Sequence, residues 1–93
     1  MIIAVATWEL HLPGCASLKE KRGVLKPLLA ALRQRCNVSV AETGHNDLWQ
    51  RAEIVCGAVG SDRNVVEETL RMADRIVEAA DGVRIIDTAT VYR

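Results

Sequence analysis

The residues best suited to chemistry lie in one short segment, GHNDLWQR, at positions 44–51. His45 and Asp47 are two positions apart and could act as an acid and a base or bind a metal, while Arg51 could hold an anion. The segment lacks a serine or cysteine at a fixed distance from His45, so no nucleophile is recognisable. Walker, dinucleotide-binding, H-E-x-x-H and nucleophile-elbow motifs are absent from the chain. The sequence therefore predicts no catalytic residue, metal site or cofactor, and a small enzyme using this segment is the least favoured hypothesis.

The same segment has a structural interpretation and a binding interpretation. Gly44 could adopt a positive φ, Asp47 could bond to its own turn backbone, and Trp49 could fold back over the core, as in a structural hairpin. Alternatively, the polar and aromatic side chains form a contact surface for a partner. We favour structure or partner binding over catalysis. The candidate partner-binding residues are His45, Asn46, Asp47, Trp49 and Arg51.

A second candidate surface is a basic stripe on the first helical segment. Its members fall within roughly one quadrant of an ideal helix, because seven-residue steps nearly repeat the helical angle. They are Lys19, Arg22, Lys26 and Arg33. The first 40 residues carry six basic and two acidic side chains, a net charge of +4, and the rest of the chain has a net charge of −4. The stripe could contact the phosphates of a nucleic acid, and the alternative is a solvated face that keeps the protein soluble.

Two weaker candidates involve a strand face and the cysteines. Glu9 and His11 lie on the same face of a strand and could reach Glu53 on a neighbouring strand, as a metal cluster or, more ordinarily, as cross-strand polar pairs. The cysteines are odd in number and lack C-x-x-C spacing, which predicts buried, reduced thiols rather than disulfides or a zinc site. They are Cys15, Cys36 and Cys56.

Six elements of secondary structure are expected to position these side chains. Ile2 to Leu12 alternates residues with the two-residue period of a strand, and one of its faces is fully apolar. The SLKE sequence from Ser17 has the form of a capping box, which opens a helix that runs to about Arg35. Pro27 predicts a kink in that helix, because proline removes a backbone hydrogen bond.

The rest of the chain predicts three further strands and one further helix. The strands cover residues 37–43, 50–60 and 83–92. The second helix has Ser61 as its N-cap and stops at Asp81-Gly82. This βαββαβ order predicts one domain over residues 1–93, an α+β ferredoxin-like two-layer sandwich. Its antiparallel sheet should have the strand order 4-1-3-2 with both helices on one face, and right-handed crossovers lead us to expect the first and third strands to be adjacent and parallel.

One face of this sheet is expected to stay free of helices. Its predicted polar residues are Thr7, Glu9, His11, Arg51, Glu53, Thr88 and Thr90, and its predicted apolar residues are Ile3, Val5, Val55, Val59 and Ile86. A half-apolar open face suits a partner, and a second copy of the chain is the simplest one. The free edge of the short second strand could also pair with its symmetry mate. These features predict a homodimer.

Composition narrows the classes of function. Apolar residues make up 49% of the 93 residues and charged residues 26%, as in an ordinary globular protein. One Tyr, two Trp and no Phe provide few rings for base stacking, which counts against the binding mode of RNA-recognition motifs. The first apolar run is too short to span a bilayer and lacks the features of a signal peptide. We therefore expect a cytoplasmic protein that does not enter a membrane.

Four stretches of the chain together carry a family pattern. They are ELHLPG at 9–14, SLKEKR at 17–22, NVSVAE at 37–42 and GHNDLWQRA at 44–52. With them the chain resembles, over nearly its whole length, the YlxP-like family of small bacterial proteins, whose function is uncharacterised. The resemblance implies a ferredoxin-like fold. Because members are often encoded near genes for translation initiation and ribosome maturation, it also implies a link to RNA or the ribosome.

These observations lead to two ranked expectations besides the enzyme. The first is a non-enzymatic module that binds RNA or a ribosomal component through the basic stripe and the 44–51 segment. The alternative is a homodimeric structural or regulatory protein that does not bind nucleic acid.

Overall fold

Four strands and two helices follow one another in the predicted order. A computed structural model describes all 93 residues of the chain. The elements are β1 (Ile2–His11), α1 (Leu18–Arg35), β2 (Val38–Gly44), β3 (Arg51–Gly60), α2 (Arg63–Ala79) and β4 (Arg84–Tyr92). Each predicted strand is therefore correct to within a single residue at either end. Neither helix is long and apolar enough to cross a membrane.

The strands form one sheet with the order β2-β3-β1-β4, which is the predicted order read from its other edge. Every adjacent pair is antiparallel, including β1 and β3, so the prediction that these two strands are parallel is wrong. The reason lies in the connections. α1 returns the chain so that β2 runs in the direction of β1, and the turn after β2 reverses β3, which inserts between them. The architecture is an α+β ferredoxin-like sandwich with both helices on one face.

The core lies between the helices and one face of the sheet. Alternate residues of β1 from Ala4 to Leu10 are buried, and so are the alternate residues of β3 from Ala52 to Ala58 that lie opposite them. The two helices form the other layer of the core, because their apolar residues recur at helical spacing and face the sheet. Its buried apolar members are Leu25, Leu28 and Leu32 of α1 and Val66, Leu70, Ala73, Ile76 and Val77 of α2. The predicted apolar face of β1 is therefore confirmed, and β3, α1 and α2 each bury an apolar face of their own.

The predicted N-cap is correct for α1 and wrong for α2. Ser17 caps α1 as predicted, because its hydroxyl accepts a hydrogen bond from the Glu20 backbone N–H at 3.1 Å. α2 is capped by Asp62 and not by Ser61, since the Asp62 carboxylate accepts the backbone N–H three residues later at 3.0 Å. A carboxylate at this position is also stabilised by the helix dipole. α1 runs through Pro27 as one continuous helix, so this proline does not end it.

β4 differs from the prediction in the face that it turns to the helices. Thr88 pairs with Trp8 and Thr90 pairs with Ala6, so both threonines lie on the helix side of the sheet and not on its open side. They are nevertheless exposed, because α2 packs mainly over β1 and β3. The sequence of β4 has no clear apolar face, so the two-residue alternation carried no signal for which side faces the core.

Candidate functional site

The turn between β2 and β3 contains the predicted partner-binding residues and has an unusual backbone. His45 adopts a φ of 59°, in the left-handed region, whereas Gly44, the residue predicted to do so, does not. Gly44 meets a different constraint, because an added Cβ would lie only 3.2 Å from the Cβ of Glu53. The His45 carbonyl accepts the Leu48 backbone N–H at 3.0 Å, which closes the turn.

Lys21 of α1 holds this turn against the helix layer. Its side chain is only 3% exposed, and its ammonium donates a hydrogen bond to the His45 carbonyl at 2.7 Å. The same ammonium lies 2.9 Å from Glu42 Oε2, at an ion-pair distance but without the angles of an aligned hydrogen bond. Such partners are required because burial of an unpaired ammonium is strongly unfavourable. Lys21 therefore ties α1 to β2 and to the turn.

The His45 side chain lies over the open face of the sheet. Its Nε2 is 2.9 Å from Glu9 Oε2, and Arg51 donates to the same oxygen at 3.2 Å. Glu9 is directly opposite Glu53, which confirms the proximity expected from the sequence. Burial alone would raise the pKa of Glu9, but the hydrogen bonds that it makes with Arg51 and His45 favour its ionised form, and this pKa is lowered from its ordinary value of 4.5. Glu9 is therefore an ionised carboxylate at neutral pH.

The acid and base proposed for the turn are not paired with each other. The His45 ring contacts Glu9, and no hydrogen bond joins it to Asp47. Asp47 is exposed, and Trp49 keeps 52% of its surface accessible, so the indole does not cap the core. With its neighbour Leu48, which is 49% exposed, Trp49 presents an apolar spot to solvent. The turn therefore offers contact groups rather than a catalytic pair.

A groove of about 250 Å³ runs between α1 and this turn and is lined by several cationic side chains. Three of the four predicted phosphate-binding residues line it, together with Asn46 of the turn. These three are Arg22, Lys26 and Arg33. The ion pair of Lys21 and Glu42 also forms part of the lining. The fourth predicted residue, Lys19, is exposed on the same helix but lies outside the groove.

The cations of the groove are not neutralised within the molecule. None of the four predicted phosphate-binding side chains takes part in an ion pair, whereas Lys21 and Arg51 both do. Arg33 donates a hydrogen bond to the Val40 carbonyl at 3.2 Å, which holds its guanidinium beside β2 without cancelling the charge. The groove therefore presents a positive surface to solvent.

A larger groove, of about 760 Å³, separates α1 from α2. Most of its lining is apolar, with Val24, Ala31 and Ile76 as examples, and it contains none of the residues that the sequence marks as candidates. A largely apolar groove suits a small molecule, whereas a row of cations suits an extended anionic partner. The smaller, cationic groove is therefore the candidate functional site.

The cysteines are buried, and neither they nor the acidic residues gather into a metal-binding group. The three free cysteines, all buried as predicted, are Cys15, Cys36 and Cys56. Burial raises the pKa of each thiol, and that of Cys56 reaches about 11 with a further contribution from Cys36. No group of three His, Cys, Asp or Glu side chains converges so as to hold a metal ion. Glu9, His11 and Glu53 therefore do not converge in the way that the hypothesis of a metal cluster requires.

Two residues that organise the site were not predicted from the sequence. Lys21 lies three residues after Leu18 and four before Leu25, a spacing that places it on the apolar side of α1. Glu42 follows Val40 by two residues, so it shares the helix side of β2 with that valine. A charged residue in step with an apolar face is the signal that could have revealed each of them. Together the two signals predict a buried ion pair.

The fold and the site define a class of protein, namely a small ferredoxin-like α+β domain with a cationic groove and an exposed turn. Within this class, the model of a protein family of unknown function, DUF503, matches residues 3–90, and the chain belongs to that family.

One comparison agrees with this family assignment, and a second concerns the fold alone. The chain is 40% identical over 91 residues to the uncharacterized protein YlxP of Bacillus subtilis (strain 168), with 98% of the chain and 99% of the relative covered. The resemblance inferred from the four sequence stretches is thus confirmed. Among solved structures, the de novo designed protein Foldit4 superposes with a TM-score of 0.59 over 98% of this chain and 97% of its own, at 13% identity. That likeness reflects a shared fold alone.

Proposed function

We propose that this protein is a non-enzymatic module that binds RNA or a ribosomal RNA surface in the cytoplasm. The contact surface is the groove between α1 and the β2–β3 turn. One observation carries the proposal: Arg22, Lys26 and Arg33 converge on one groove and take part in no intramolecular ion pair. A row of such cations recognises a backbone of phosphates.

The dimensions of the cation row support this assignment. From Arg22 to Arg33 the helix rises about 16 Å, which is long enough to face several phosphates of one strand. Asn46 at the end of the groove offers an amide that can donate to and accept from a base or a sugar. The exposed indole of Trp49 lies on the same turn and can stack on one unpaired base. The groove and the turn would then act on one strand of RNA.

The experiment compares two triple variants that each lose three positive charges. The first is Arg22→Gln, Lys26→Gln and Arg33→Gln in the groove, and the matched control is Arg35→Gln, Arg75→Gln and Arg84→Gln elsewhere. The control arginines are exposed and take part in no ion pair. Binding to purified bacterial ribosomal subunits and to their extracted RNA is measured over a range of salt concentrations.

We expect the groove variant to bind more weakly and to show a slope of log K against log salt that is reduced by about 2, since each contact with a single strand contributes about 0.7. The control variant should keep the slope of the wild type. Lys19→Gln alone should have a smaller effect than any groove substitution, because Lys19 lies outside the groove. Equal slopes for the two triple variants would contradict phosphate binding by the groove.

The second candidate function, a homodimeric structural or regulatory protein, is favoured by the open face of the sheet. Ile3 is directly opposite Val59 there, and Val5 is opposite Val91. Val59 and Val91 are 54% and 51% exposed, which is high for large apolar side chains. This candidate would be supported instead if the wild type dimerises and if neither it nor the groove variant binds RNA.

A further inference from the structure

β4 is the strand of the sheet with the least cover. It lies at one edge of the sheet, and six consecutive residues, from Ile86 to Val91, are exposed. The other edge strand, β2, is less open, because Arg33 of α1 already occupies the Val40 carbonyl and a bulge interrupts the strand after Glu42. Exposed edge strands present unpaired backbone groups that favour pairing with another strand.

The hydrogen-bonding direction along β4 follows from its pairing with β1. The Arg93 N–H donates to the Ile3 carbonyl at 2.7 Å, and alternate residues of an antiparallel ladder point to the same neighbour. The N–H and C=O groups of the intervening residues Thr88, Thr90 and Tyr92 therefore point to the free edge. The Thr88 N–H agrees with this direction, because it is bonded by the Asp87 carboxylate at 2.9 Å and not by β1.

The regular part of this edge is self-complementary. A bulge near Ile86 interrupts the pairing of β4 with β1, so the regular pairing begins at Asp87, and it is observed as far as Arg93, whose N–H donates to Ile3. Thr90 is the midpoint of that segment. An antiparallel copy centred on Thr90 would place the carboxylate of Asp87 opposite the guanidinium of the partner's Arg93, and it would do so twice by symmetry.

We propose that two copies of this chain pair along β4 about a two-fold axis at Thr90 and form one continuous eight-stranded sheet. Pairing along β4 does not use the cationic groove and does not depend on the proposed RNA binding. Thr90 is opposite the partner subunit's Thr90, and Thr88 is opposite the partner's Tyr92, so the groups at the free edge are those that meet. Shifting the register by two residues toward the start of β4 places Asp87 opposite the partner's Val91 and loses both ion pairs.

Formation of this pair exchanges one hydrogen bond for another. In the single chain the Asp87 carboxylate occupies the Thr88 N–H. In the dimer that N–H donates to the carbonyl of the partner's Tyr92, and the carboxylate turns to the partner's Arg93. A seam of seven residues is smaller than a standard interface, so the dimer should form at micromolar or higher concentration. Its continuous sheet places both cationic grooves on the same side.

A charge exchange tests the register by sedimentation velocity, from about 5 to 500 µM protein, a range chosen for a small interface. Asp87→Arg and Arg93→Asp should each raise the dissociation constant of the dimer about tenfold, because each substitution places like charges opposite each other twice. The double variant Asp87→Arg with Arg93→Asp should return to within about threefold of the wild type. Unchanged circular dichroism of the variants shows that each chain remains folded.

A disulfide test uses the symmetry directly. Thr90→Cys should form a covalent dimer on mild oxidation, because its Cα and that of its symmetry mate lie about 5.5 Å apart in the paired strands. Thr88→Cys is the matched control, since its own mate is four residues away along the seam. The native thiols are buried and do not compete. A wild type that stays monomeric, a double variant as weak as the single ones, or cross-linking through Thr88→Cys alone would each overturn the proposal.

Discussion

At the residue scale, the buried ammonium of Lys21 has the clearest energetic role. Lys21→Met keeps the length of the side chain but leaves Glu42 and the His45 carbonyl without their cationic partner. We expect the free energy of unfolding to fall by about 2 to 3 kcal/mol, less than for a fully buried pair because the Glu42 side chain is 28% exposed. Urea denaturation measures the change, and Lys19→Met, at an exposed position, should alter it by no more than about 0.5 kcal/mol.

Protonation of Glu9 should make the folded protein less stable in acid. Its pKa is lowered in the folded protein below the ordinary value of 4.5, so its ionised form stabilises the fold above that pH. This contribution is lost as the pH falls from about 4.5 through the lowered folded-state pKa of Glu9. Wild type should therefore be more stable than Glu9→Gln at pH 7, and the difference should shrink below pH 4.5. Urea denaturation between pH 7 and pH 3 measures it, with exposed Glu78→Gln as the control. A constant difference across that range would contradict the role of Glu9.

Within the helices and strands, alanine substitution at two glycines should change the free energy of unfolding in opposite directions. A Cβ at Gly23 in α1 would meet nothing within 4 Å, so Gly23→Ala should raise the free energy of unfolding by about 0.5 to 1 kcal/mol through helix propensity. A Cβ at Gly60, at the end of β3, would lie 3.0 Å from Val66 Cγ2, so Gly60→Ala should destabilise. Thermal unfolding of the two variants should shift in opposite directions. A shared direction would show that local contacts do not govern these positions.

The elements also show what a sequence can and cannot reveal. β1 and β3 were predictable because a strong apolar bias on one face sets their orientation, and α1 and α2 because apolar residues recur at helical spacing. β4 has polar threonines on the side that faces the helix layer, so Thr88 and Thr90 gave no signal of their orientation. The stripe of cations was visible from helical geometry. Its meeting with Asn46 was not, because it depends on the contact between Lys21 and the His45 carbonyl.

At the scale of the whole molecule, the three buried thiols report on unfolding. All lie in the core cluster, and the pKa of Cys56 is raised from 9.0 to about 11 by burial. In native protein at pH 8 we expect a thiol reagent such as DTNB to react slowly with all three and at one common rate, set by opening of the core. The rates should become fast in denaturing urea. Rapid labelling of one thiol in the native protein would instead reveal local opening near that cysteine.

Alkali should weaken the same core. The folded-state pKa of Cys56, about 11, lies above its ordinary value of 9.0, so unfolding releases a proton above pH 9. Stability should be complete below pH 9 and should decline as the pH rises toward 11, and Cys56→Ala should show less of this decline. Denaturation curves at pH 8 and pH 10 measure the difference. A decline of equal size in both proteins would assign it to other groups.

The two tryptophans give the molecule separate optical reporters. Trp8 is 1% exposed, and its indole N–H donates to Asp74 at 2.9 Å, whereas Trp49 is 52% exposed on the β2–β3 turn. Fluorescence from Trp8 should be emitted at shorter wavelength and resist quenching by acrylamide, while emission from Trp49 should be quenched readily. Trp49→Phe would thus leave Trp8 in the core as the only tryptophan, and Trp8→Phe would leave Trp49 on the β2–β3 turn. The emission spectrum of each variant could then be used to follow unfolding or binding at the turn, without any added label.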